Sequence, residues 1–205
     1  MSDQPNEKPQ ASLELGVIGN GSVAALVDSH ARIVWCCLPR FDADASFCSL
    51  LSPTLPGGDW AIELEHFDHA EQFYLRNTAV LVTRLFDRQG GAIEITDFAP
   101  RHRASGRLYH PEMLARRVAP ISGSPRIRVR MRPLCDYGAR TPQTTSGSNH
   151  IRYLLSDTIQ RLTCDVAPLM VERGLPFGLE QPAHFLFGPD ETLEGNVSDF
   201  IHLAL

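Results

Sequence analysis

Gly16-Val-Ile-Gly-Asn-Gly-Ser-Val-Ala-Ala-Leu-Val-Asp28 decides the fold class, because it can be read in two incompatible ways. Gly19-x-Gly21-x-x-Ala24 follows an apolar run and matches the dinucleotide-binding fingerprint, in which glycines let the backbone approach a pyrophosphate at a helix N-terminus. That reading requires a helix directly after the turn. Only Ser22-Val-Ala-Ala-Leu-Val27 separates it from the polar turn Asp28-Ser-His30, and Arg32-Ile-Val-Trp-Cys-Cys-Leu38 then follows, rich in β-branched and aromatic residues. The run is too short for a crossover helix, and two short apolar runs about a polar turn make a β-hairpin. Gly19-Asn20-Gly21 is therefore a tight turn that needs positive φ, and an oxidoreductase reading would be revived only by a helix starting at Ser22.

The same pattern continues outward from this hairpin. Trp60, Ile62 and Leu64 alternate with Ala61, Glu63 and Glu65, and Ala79–Phe86 and Ala92–Phe98 flank the turn Asp87-Arg-Gln-Gly-Gly91. Strand-like runs follow at Met113–Ile121, Arg126–Met131, Ile151–Leu155, Ile159–Cys164, Pro168–Val171 and Ala183–Phe187. Helical signals are confined to two turns at Ala45–Leu51 and a helix beginning at Val197–Leu205. Many short strands punctuated by fifteen glycines and fifteen prolines predict an all-β antiparallel sandwich over residues 13–196. Residues 1–12 read as a disordered polar tail, and Thr141–Asn149 as a surface loop.

Bulk properties narrow the function classes. A net charge of -5 argues against nucleic acid as a partner, since phosphate binding needs a basic face. No apolar stretch has membrane-spanning length, and the polar N-terminus has no apolar core of a signal peptide. The five cysteines at 36, 37, 48, 135 and 164 form no C-x-x-C pair, which favours reduced thiols in a cytoplasmic protein over zinc or a disulfide framework.

The candidate site is Leu38-Pro-Arg-Phe-Asp-Ala-Asp44, which carries a cation, an aromatic ring and two carboxylates directly after the Trp35 strand. Arg40 and Asp42 can bond sugar hydroxyls or a neighbouring domain, with Phe41 as a stacking surface; alternatively they pair within the loop while Phe41 enters the core. Asp42 and Asp44 lack a third ligand for a hard cation. His66-Phe-Asp-His69 likewise lacks the ligands to complete a metal site and reads as a polar connector. Arg126-Ile-Arg-Val-Arg-Met-Arg132 places four arginines on one strand face, read as solvated. Cys36 and Cys37 read as small apolar packing residues. There is no G-x-S-x-G, H-E-x-x-H or P-loop, and no cofactor or catalytic residue is assigned.

Ile18–Val27, Ile33–Asp42 with Phe47 and Leu50-Leu51, Tyr74–Thr78, Val80–Thr83, Ile95-Thr-Asp-Phe-Ala-Pro100 and Asp136-Tyr-Gly138 together resemble the N-terminal region of glycoside hydrolase family 15, the bacterial glucoamylase and trehalase-like enzymes. The resemblance runs over roughly residues 13 to 200. It implies a large β-sandwich (a supersandwich), with residues 197–205 starting the linker helix to a following (α/α)6 barrel. It also implies inverting hydrolysis of an α-glucoside by two barrel glutamates, whose carboxyls stand about 6.5–9.5 Å apart to admit water. On this reading residues 1–205 alone are inactive, the partners are the barrel and the glucoside, and Arg40, Phe41 and Asp42 face the barrel. The alternative is a stand-alone carbohydrate-binding or protein-interaction sandwich, and homo-oligomerisation is left open.

Overall fold

The computed structural model describes residues 12–51, 54–104 and 106–205. Of the polar tail only Ser12 falls within them. In chain order the elements are β1 (Leu15–Gly19), β2 (Ala24–Asp28), β3 (Ile33–Cys37), β4 (Ala45–Phe47), β5 (Asp59–Leu64), β6 (Phe67–Tyr74), β7 (Leu81–Asp87), β8 (Ala92–Phe98), β9 (His102–Ala104) and β10 (Arg107–Tyr109). There follow β11 (Leu114–Ser122), β12 (Arg126–Arg132), β13 (Gln143–Ser146), β14 (His150–Leu154), β15 (Ile159–Cys164), α1 (Pro168–Glu172), β16 (Phe177–Gly178), β17 (Ala183–Pro189) and α2 (Val197–Ala204). Seven strands form one sheet in the order β1-β2-β3-β5-β12-β16, with β4 paired to β3; eight form the second in the order β13-β14-β15-β17-β11-β8-β7-β6. All their pairings are antiparallel, as an all-β sandwich requires.

The two-residue period places the core. Trp60, Ile62 and Leu64 on β5 and Ile127, Val129 and Met131 on β12 point inward, where they meet Ile93, Ile95, Leu114, Val118, Phe185 and Phe187 of the second sheet. Trp60 packs against Phe47, Phe185 and Phe187 with ring centres 6.1–6.5 Å apart. On the outer face of the second sheet, Val197 and Ile201 of α2 cover Val80, Phe98, Met113, Ala115 and Leu186. The Asn196 side chain caps this helix by accepting from the Asp199 amide at 2.8 Å.

The opening stretch folds as the turn it promised. Gly21 sits at φ 95°, and a Cβ on Gly19 would stand 2.9 Å from the Val23 carbonyl. No helix begins at Ser22, which instead leads into β2. The Asn20 side chain accepts from the amides of Ser22 and Val23, and its Nδ2 donates to the Pro100 and Pro111 carbonyls at 2.9 and 2.8 Å. One Asn thereby closes its own turn and ties the first sheet to the second.

Four local expectations are corrected. Ala45–Leu51 is no helix: Ala45–Phe47 pairs with β3, because a window this short gains less from helical bonds than from burying Phe47 against Trp60 and Phe187. Pro168–Val171 is helical, not extended, with Pro168 at the first helical position, where its fixed φ suits a helix start. The expected loop Thr141–Asn149 contains the edge strand β13, whose polar, exposed residues conceal it in the sequence. His66–His69 is no connector either, since Phe67 opens the long edge strand β6 and His69 stacks on Phe86 at 4.5 Å.

Candidate functional site

Antiparallel pairing brings six connections to one end of the sandwich. The β1–β2 turn, the β3–β4 loop, the β6–β7 turn, the excursion between β8 and β11, the β12–β13 loop and the β14–β15 turn all emerge there. Bonds between the sheets fix their mutual positions: Ser46 Oγ donates to Gln160 Oε1 at 2.8 Å, and Gln160 Nε2 donates to the Leu38 carbonyl at 3.3 Å. Loops held on a rigid scaffold are the usual carriers of binding.

Arg40, Phe41 and Asp42 form the tip of the β3–β4 loop. The Arg40 guanidinium donates to both Asp42 oxygens at 2.9 and 3.0 Å, and the turn is closed by the Ala43 amide on the Arg40 carbonyl. The side-chain hydrogen bond from Arg40, reinforced by its charge, holds the Asp42 carboxyl below the usual carboxylate range. Phe41 is 59% exposed, so the pair forms within the loop while the ring faces solvent instead of entering the core.

Beside this tip, Asp44 Oδ1 accepts from the Tyr137 amide at 2.9 Å. Asp136 and Tyr137 both have φ 54°, followed by Gly138 at φ 89°, and this left-handed run leaves Tyr137 79% exposed. Arg140 and the Ser156 hydroxyl both donate to the Asp136 carboxylate, and those bonds lower its pKa. A cleft of about 370 Å³ lies between the loops, lined by Pro39, Asp42, Asp44, Tyr137, Ser156 and Asp157. Two exposed rings beside carboxylate acceptors suit a polyhydroxylated ligand, whereas Asp42 and Asp136 are tuned away from donating a proton. A larger cleft, about 640 Å³, lies at the opposite end between residues 120–126 and 178–180; it is walled by turns, and Arg126 in it is already paired with Glu65.

The sequence reading missed Arg116. It is fully buried, pairs with the equally buried Asp97, and donates to the Trp60 carbonyl of the other sheet at 3.0 Å and to the Ala31 carbonyl of that sheet's β2–β3 turn at 2.6 Å. Its guanidinium also lies 4.8 Å from the Trp60 ring centre. Strand alternation could have found it, since Arg116 shares a face with Leu114 and Val118, and Asp97 with Ile93 and Ile95. The four arginines of β12 are not merely solvated: Arg126 meets Glu65, Arg128 and Arg130 meet Glu63, and Arg130 and Arg132 converge on the nearly buried Asp59. All five thiols are free; burial pushes Cys164 up to about 12 and Cys36 further.

Two packed antiparallel sheets with six connections presented from one end define a β-sandwich module. The family model for trehalase-like N-terminal domains matches residues 7–162, and the chain belongs to that family. It is 34% identical over 129 residues to a trehalase of Thermoplasma volcanium, covering 62% of this chain and 20% of that protein. A trehalase of Thermoplasma acidophilum is 32% identical over 119 residues, covering 57% and 20%, and trehalase 1 of Sulfolobus acidocaldarius is 38% identical over 87 residues, covering 42% and 15%. The chain thus matches a fifth or less of the length of each of these relatives. No solved structure matches it significantly. The resemblance read from the sequence holds at the level of a trehalase-like N-terminal domain. Among the described residues, no helix is long and apolar enough to cross a membrane.

Proposed function

We propose that the chain is the non-catalytic N-terminal β-sandwich domain of an inverting α-glucoside hydrolase, trehalase- or glucoamylase-like. In this reading residues 13–196 support a catalytic barrel, 197–205 begin the linker helix to it, and Arg40, Phe41 and Asp42 close one side of its pocket. The observation that carries the reading is the Arg40–Asp42 tip, a bidentate ion pair aimed at solvent from loops braced across both sheets. A guanidinium and a carboxylate fixed side by side can bond paired sugar hydroxyls. The family membership and the trehalases among the relatives favour a glucoside substrate. Five free thiols suit a reducing, cytoplasmic setting.

The test uses the full-length enzyme. Arg40→Ala and Asp42→Ala should each lower kcat/KM by about tenfold or more while moving the melting temperature by no more than about 2 °C. Unchanged turnover with a large fall in melting temperature would make the loop structural. Parallel assays on trehalose and maltose separate the trehalase from the glucoamylase form, and hydrolysis of neither would favour a sugar-binding or protein-interaction sandwich.

A further inference from the structure

The charges at the loop-bearing end are unevenly satisfied. Most arginines of the fold pair with a carboxylate; among the described residues the side chains of Arg76, Arg117 and Arg173 make no ion pair or hydrogen bond, and neither do those of Arg101, Arg103 and Arg107, which alone are clustered in sequence. Arg101, Arg103 and Arg107 lie together in Arg101-His-Arg-Ala-Ser-Gly-Arg-Leu-Tyr-His110, a stretch with no Asp or Glu in a chain whose net charge is -5.

This stretch is an arm. Strands β9 and β10 pair only with each other, as a two-stranded sheet separate from both layers of the sandwich. Its base is secured: Asn20 bonds the Pro100 and Pro111 carbonyls at either end, and Ser22 Oγ lies 2.7 Å from His110 Nδ1. One flank is secured as well, with His102 stacked on Tyr109 at 5.6 Å and edge-on to Phe200 of α2 at 5.8 Å. On the other flank Leu108 and Tyr109 remain 43% and 44% exposed. A two-stranded hairpin is marginal in water by itself, so an arm anchored at its base and left open on its face is built to be covered.

Its chemistry identifies the cover. Arginine and tyrosine are the residue types that concentrate binding energy at protein interfaces, and Leu108 adds apolar area between them. A polyanion such as nucleic acid is disfavoured by the negative charge of the whole chain, whereas local carboxylates on a protein surface can reach three arginines without meeting that field. The arm touches α2 through His102 and Phe200, and Leu203 of that helix and the following Leu205 are also exposed. The trehalases similar to this chain are at least about five times the length of the aligned stretch, so in proteins of that kind a large surface is available to cover it.

We propose that β9 and β10, with Arg101 before them, are a docking arm for a carboxylate-bearing surface of the catalytic part of the enzyme, with Arg101, Arg103 and Arg107 as charged contacts and Leu108 and Tyr109 as apolar ones. The proposal rests on the reading of the chain as the N-terminal domain of a longer hydrolase. In the full-length protein, amide exchange in the arm should be slow and should quicken as salt rises from about 50 mM to 1 M. The triple variant R101E/R103E/R107E should speed that exchange by about tenfold or more and enlarge the particle in small-angle scattering, while R101K/R103K/R107K stays near the wild type. If the glutamate variant loses its cooperative melt, Arg103→Glu alone and the salt series on the wild type carry the test. Fast arm exchange in the wild type, or protection indifferent to salt and to charge reversal, overturns the docking arm even in a protein that hydrolyses α-glucosides. A protected, salt-sensitive arm in a protein that releases no glucose leaves the docking standing and overturns the substrate reading instead.

Discussion

Arg116 is the residue on which the two sheets depend most directly. Its guanidinium binds Asp97 within its own sheet, the Trp60 carbonyl of the other and the Ala31 carbonyl in the β2–β3 turn, so one side chain satisfies four acceptor atoms in an interior without water contact. Burial pushes the Asp97 carboxyl upward, and Arg116 opposes that shift by charge and by hydrogen bonding. A buried pair of this kind adds little beyond an apolar core while intact, yet removing one partner leaves the other charged and unsolvated. Arg116→Met should therefore cost about 3–5 kcal/mol in urea unfolding, and a second change, Asp97→Leu, should recover part of that loss. A single-variant cost under about 1 kcal/mol would mean that water reaches Asp97 and that the pair does not clamp the sheets.

At the scale of the element, β12 separates what alternation can and cannot tell. The two-residue period of Arg126–Arg132 places Ile127, Val129 and Met131 inward and the arginines outward, and the fold has them so. What faces the arginines depends on register with β5, where Glu63 lies opposite Arg128 and Asp59 opposite Arg132. Register is a long-range property that no local pattern contains. The same limit explains the edge strand β13, hidden in polar residues, and α1, whose few residues are too short a run to display helical periodicity. The tight turn at Gly19–Gly21 was legible because its steric demand is local, whereas the bonds from Asn20 to Pro100 and Pro111 were not. The candidate tip Arg40–Asp42 and the adjacent Asp44 were legible as chemistry, but Tyr137 and Ser156 join them only through folding. Arg130→Gln combined with Arg132→Gln leaves the nearly buried Asp59 without a cation and should cost about 1–3 kcal/mol, while the exposed Arg126→Gln should stay within about 0.5 kcal/mol. Equal, small effects in thermal melts would return the whole face to the solvated class.

For the molecule as a whole, one continuous core joins the sheets, with Trp60, Phe47, Phe185 and Phe187 at its centre and Arg116 bonded across it. Neither sheet can bury its inner face without the other, so residues 1–205 should unfold in one cooperative transition when produced alone. The proposed absence of catalysis in this domain rests on two carboxyls at the loop-bearing end. Inverting hydrolysis needs one carboxyl still protonated near neutral pH and a second that activates water. Asp42 is held in the opposite direction by Arg40, and Asp136 by Arg140 and Ser156, so both are ionised well below neutrality and cannot give a proton to a leaving oxygen. Asp44 Oδ1 is engaged by the Tyr137 amide, which ties that side chain to loop structure. In the proposed reading this end holds hydroxyls while the glycosidic bond is broken elsewhere in the enzyme. Purified residues 1–205 incubated with trehalose or maltose should release no glucose above a heat-denatured control, while retaining a single sharp melt. Glucose release abolished by Asp42→Asn or Asp136→Asn, with the melt unchanged, would place catalysis inside this sandwich and refute the division of labour proposed for it.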